Sequence, residues 1–152
     1  FPAIPLGYDR LNDDEIMGTR KRRRIGESWE LKNVQAFMDL MRQDGLEVKE
    51  GGIEGQTILA DVIQVGDHKC LFLKTALEMD LSNIPLPSGV VTKRAHVVFN
   101  ASGLFPVDKS IGILQEQVKI AMTAVAEGRP KPYLPVVTLE IKTEQDIRRD
   151  YF

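Results

Sequence analysis

Cysteine is almost absent from these 152 residues, and Cys70 stands alone. One thiol closes no internal disulfide and builds no cysteine-rich zinc site. A lone cysteine fits a reduced, intracellular setting, in nucleus or cytoplasm, better than a redox role. Histidine is nearly as scarce, with only His68 and His96 available as a base. Aromatic residues make up 7%. No strand-like run carries the paired aromatics on which bases stack, which argues against a sheet-surface RNA reader. No apolar run approaches the roughly 20 residues that span a bilayer as a helix. No charged-then-apolar secretory leader is present. Neither sign of charge dominates, with 20 Lys and Arg against 22 Asp and Glu. A globally basic nucleic-acid binder is excluded by that balance, but a local basic patch is not.

The familiar cofactor loops are missing as well. Gly51-Gly52-Ile53-Glu54-Gly55-Gln56-Thr57 has glycines but no lysine, and it leads into a β-branched run rather than a helix. Gly-x-Gly-x-x-Gly does not occur. No cofactor and no metal site is expected. Asn100-Ala101-Ser102 matches the glycosylation triplet by chance, since nothing marks the chain for secretion. The chain opens on Phe1 rather than Met, and the expectation is a piece or processed product of something longer.

What is present begins with segregated charge. Residues 1–27 read as a flexible leader: Pro2, Pro5 and Gly7 forbid a helix at the start, Asp13-Asp14-Glu15 is acidic, and Arg20-Lys21-Arg22-Arg23-Arg24 is a run of five cations. Five adjacent cations repel one another and stay solvated until an anion neutralises them.

Residues 28–152 read as one domain. Hydrophobic residues at 43% supply a core of ordinary size. Ser28 reads as an N-cap for an amphipathic helix of about four turns with Leu31, Val34, Phe37, Met38 and Met41 on one face, ended by Gly45. Residues 46–49 read as a short strand and 50–55 as a turn. Thr57 to Val65 and His68 to Leu73 form a hairpin around Gly66-Asp67. Residues 80–89 form a loop, Val90 to Phe99 a strand, and Asn100 to Gly103 a turn. Ser110 caps a second helix with Ile111, Leu114, Val118, Ala121 and Val125 in one stripe, closed by Gly128. Residues 136–142 are the last strand, and 144–152 a terminal helical turn. The expected fold class is α+β: a mainly antiparallel sheet of four to five strands with two amphipathic helices packed on one face.

No catalytic set assembles from the sequence. His68 follows a tight turn and His96 sits on the polar face of a strand. A composite site from Asp61, His68 and Cys70 is the enzymatic alternative, since they lie on facing strands of the hairpin. The favoured expectation is a non-catalytic structural or interaction module. Its basic arm, Arg20, Lys21, Arg22, Arg23 and Arg24, contacts an acidic partner, either RNA or DNA or an anionic membrane. Arg94 and His96, on the exposed face of the sheet, are added as binding residues. A nuclear protein-binding domain with an import signal at 20–24 is the second alternative. A protein partner and a homo-oligomer are both open. Tyr8-Asp9-Arg10-Leu11, behind Phe1-Pro2-Ala3-Ile4, resembles short peptides that recruit sorting or budding machinery. With the basic run and a compact α+β domain behind it, the layout is similar to that of viral matrix proteins. That resemblance rests on the leader alone and implies a matrix-like or nucleoprotein-associated role.

Overall fold

The computed structural model describes residues 23–31, 34–108 and 110–151. Most of them belong to one antiparallel sheet of six strands: β1 (Ser28–Glu30), β2 (Glu47–Val65), β3 (His68–Asn83), β4 (Val90–Pro106), β5 (Gln115–Gly128) and β6 (Val137–Asp150). The order across the sheet is the order along the chain. Each strand therefore pairs with its sequence neighbours, and the sheet is an up-and-down meander. One helix, α1 (Val34–Gln43), is inserted between β1 and β2.

This architecture corrects the expected fold class. Among the described residues, six strands replace four to five, and one helix replaces two. Ser28 begins a short strand rather than capping a helix. The segment read as a second helix is β5. Its Val118, Ile120, Met122, Ala124 and Ala126 are all buried, and that period of two is a strand's. Its Ala, Met, Gln, Glu and Lys favour helices intrinsically, but packing against β4 and β6 overrides so weak a preference. Residues 100–103, read as a turn, lie inside β4. Residues 50–55, read as a turn, lie within β2, where 49–52 form a bulge between Val48 and Ile53 with Gly51 at φ 67°. Gly103 is there because a Cβ would press on Phe105 and on the backbone of Gln115. Residues 144–150 continue β6 instead of turning into a helix. The Gly66-Asp67 hairpin is present: Val65 pairs with His68, and Gly66 takes the positive φ of 57° that such a turn requires.

The register sorts side chains onto two faces. Leu77, Phe99 and Ile120 lie side by side across β3, β4 and β5, as do Met79, Val97 and Met122. All six are buried in one core cluster. Helix α1 lays Phe37 and Met41 onto that cluster. Gly45, at φ 80°, stops it. The Leu46 N–H reaches back to the Met41 carbonyl and the Gly45 N–H to the Arg42 carbonyl. This is the crossed pair of bonds of a Schellman cap, and it buries Leu46 beside Met41. The opposite face carries Lys74, Glu78, Asp80, His96, Lys119 and Asp146, all partly or fully exposed. A sheet with one apolar and one polar face needs cover on one side only.

Candidate interaction surfaces

The end of the basic run is tied to the sheet. Arg24 accepts a hydrogen bond from the Glu27 N–H, closing a turn at Ile25-Gly26. The Gly26 N–H then donates to the Leu59 carbonyl, and the Leu59 N–H to the Glu27 carbonyl. These bonds dock the chain on the outer edge of β2 and deliver it into β1. The Arg23 guanidinium lies over the Trp29 ring, 5.3 Å from its centroid. A cation at that distance is held by the ring's negative face. Arg24 is exposed. Arg20, Lys21 and Arg22, and with them the leader and its Tyr8-to-Leu11 peptide, lie outside the described residues.

Arg94 and His96 stand on the polar face, on β4. His96 is placed between two carboxylates. Its Nδ1 is 2.8 Å from Asp80 Oδ1, and its Nε2 is 3.6 Å from Glu78 Oε2. An ionised carboxylate only accepts, so Nδ1 carries the proton in the shorter contact. Asp80 is the cross-strand partner of His96 on β3. Arg94 is exposed beside it. Other cations of this face and its rim also have acids close by. Lys93 Nζ lies 3.5 Å from Glu127, Arg148 Nε 3.3 Å from Asp150, and Lys119 Nζ 4.0 Å from Asp146. Alternating signs at this spacing leave a mixed field, unlike the single-sign field that draws a polyanion.

The three residues of the composite site point elsewhere. Cys70 is buried, and its thiol faces the backbone carbonyl of His68 at 3.7 Å. Burial pushes the thiol above its ordinary pKa, which disfavours the thiolate a nucleophile needs. Asp61 accepts from the N–H of Val62 at 2.8 Å, and His68 is exposed at the hairpin tip. Among the described residues no group of three or more His, Cys, Asp or Glu side chains is placed to hold a metal ion.

Sequence reasoning missed Trp29 as the anchor of the basic run, because it read that residue into a helix. It also missed Glu78 and Asp80 as partners of His96, which only the β3–β4 register brings together. Asp108 is a third omission. It accepts from both the hydroxyl and the backbone N–H of Ser110, at 2.7 and 3.0 Å, and these bonds lower its carboxyl from the ordinary value. The residue read as a helix cap is thus half of a turn between β4 and β5.

No family model matches the chain, and no curated protein or solved structure does either. Among the described residues no helix is long and apolar enough to cross a membrane.

Proposed function

We propose that this protein is a non-catalytic scaffold that presents a basic arm to an acidic polymer or surface inside the cell, in cytoplasm or nucleus. The observation that supports this reading is the anchorage of the run Arg20–Arg24. Its last two residues are fixed at the β1 edge, by the stack of Arg23 on Trp29 and by the turn closed on Arg24. A run tethered at one end to a rigid sheet is placed relative to whatever the rest of the sheet contacts. Arg94 and His96 are secondary contacts in this reading, since acids already share their face.

The test is binding of the full chain to fluorescent RNA and to anionic liposomes at two salt concentrations. Neutralising phosphates releases counterions, so affinity should fall steeply with salt. Replacing Arg22, Arg23 and Arg24 by Ala should weaken binding and flatten that dependence. Unchanged binding by a folded triple variant removes the reading. Which ligand responds decides between nucleic acid and membrane.

A further inference from the structure

The sheet has two unlike edges. At one edge β1 is only three residues long, and the turn at 25–27 continues the cover over Leu59. At the other, β6 runs for 14 residues and, among the described residues, has β5 as its one strand neighbour. The β5–β6 register is unbroken from Gln115↔Asp150 to Gly128↔Val137. Tyr151, one residue beyond, donates its N–H to the Leu114 carbonyl in the same register. Backbone groups alternate sides along an antiparallel strand. The odd-numbered residues of β6 therefore turn their N–H and C=O toward β5, and the even-numbered ones, from Thr138 to Asp150, turn theirs outward. A row of outward donors and acceptors is a template for another strand.

We infer that β6 pairs antiparallel with β6 of a second copy, joining two sheets edge to edge about a two-fold axis at Glu144. The order of charges selects this occupant, and together with the length of strand paired it selects this register. Only even-numbered residues offer outward groups, so a self-pairing moves in steps of two residues. With Glu144 facing Glu144 of the second copy, Lys142 faces the partner's Asp146 and Glu140 faces the partner's Arg148. The two-fold makes each of these attractive pairs twice. On the apolar face, Ile141 meets the partner's Ile147, giving the half-exposed Ile147 an apolar neighbour. One step to one side sets Glu140 against the partner's Asp146, which cancels the one attractive pair made there, Lys142 with the partner's Glu144. One step to the other sets Lys142 against the partner's Arg148, Glu144 against Asp146 and Glu140 against Asp150. Two steps that way, with Asp146 on the axis, Glu144 faces the partner's Arg148 and Lys142 faces the partner's Asp150, an equal charge pairing, but β6 is then paired only from Lys142 to Asp150. The register at Glu144 gives the same charge pairing and leaves no outward group between Thr138 and Asp150 unpaired. Charged edges ordinarily repel strange strands; a self-complementary order of charges exempts one partner from that repulsion. The one like-charge contact, Glu144 on the axis, is the cost of the arrangement.

The full chain should show a concentration-dependent dimer in sedimentation equilibrium. K142E sets an acid against the partner's Asp146, and D146K a cation against the partner's Lys142, each at both symmetry-related positions. Each alone should weaken the dimer by roughly tenfold or more, since each reverses two cross-strand charge pairs. Mixed one to one, the two variants are complementary at both positions, and the mixture should dimerise like the parent chain. E144Q should tighten the dimer. E144P removes one outward donor but no bond to β5, so it should give a folded monomer. A chain that stays monomeric, or a dimer indifferent to both charge reversals, overturns the inference. So does a monomer whose even-numbered β6 amides are protected from hydrogen exchange, which would mean that another part of the same chain covers this edge.

Discussion

Two hydroxyls are buried on the mainly apolar face of the sheet. Thr57 on β2 and Thr75 on β3 are directly opposed and buried, and their Oγ1 atoms are 2.8 Å apart. A hydroxyl taken from water needs a partner, and here each is the other's. Thr57→Val keeps the shape but leaves the Thr75 hydroxyl alone, so it should lower stability by about 1–2 kcal/mol. The double change to Val should recover most of that loss, because no orphan remains. Urea midpoints of the four proteins in the cycle measure the coupling; additive losses would show that the two hydroxyls do not depend on each other. Cys70 makes a second prediction at this scale. Its thiol is raised by burial, so the unfolded chain gives up that proton at a lower pH than the native one. Between those two values the native state binds more protons, and stability falls as pH rises. The effect is absent near neutrality and begins as pH passes the ordinary thiol value of about 8.5. Comparing the parent with Cys70→Ala from about pH 7 to about pH 9.5 isolates it, since other groups titrate alike in both. Parallel stability curves would contradict the assignment.

Helix α1 is the element whose contribution can be removed most cleanly. α1 has little intrinsic support: Gln35 donates to Asp39 at 2.9 Å, and Arg42 reaches the same carboxylate at 3.2 Å, both exposed. Such pairs contribute a few tenths of a kcal/mol each. Most of its stability must come from Phe37 and Met41 on the sheet and from the cap that buries Leu46. Phe37→Ala should cost about 3–4 kcal/mol. Native-state hydrogen exchange should show the amides of 37–43 opening before those of β3 and β4. A loss below about 1 kcal/mol would mean that the helix is dispensable cover. Helix α1 is legible in the sequence because its apolar spacing of three and four ends at a glycine. The Gly66-Asp67 hairpin is legible because β-branched runs flank a turn pair. β5 is not, because Ile111, Leu114, Val118, Ala121 and Val125 satisfy a helical stripe while Val118, Ile120, Met122, Ala124 and Ala126 satisfy a strand. Only neighbours on both sides break that tie, and a sequence does not show its neighbours. The same ambiguity hides the surfaces. The basic run is plain in one dimension, but the Trp29 anchor and the open edge at β6 exist only once 28–30 and 115–128 are strands.

At the scale of the whole molecule, the two proposed surfaces lie at opposite edges of one sheet. Strands are spaced about 4.8 Å apart, so β1 and β6 are separated by about 24 Å. Pairing through β6 puts the two basic arms at the far edges of a joined sheet, up to about 50 Å apart along it. Binding of one arm then makes binding of the second intramolecular, but only for a ligand long enough to reach both. Short RNA should bind the parent chain and the K142E monomer alike, because it meets one arm in either case. Long RNA should bind the parent more tightly and with a steeper salt dependence, since two sets of cations release counterions together. Adding D146K to K142E in equal amounts should restore the long-RNA advantage without touching any arm residue. The result depends on both surfaces but separates them. If short RNA also favours the dimer, the contact lies near the joined edge and not on the arms. If no RNA length distinguishes dimer from monomer while both bind, the arms work singly, and the joined sheet positions something other than a shared polyanion.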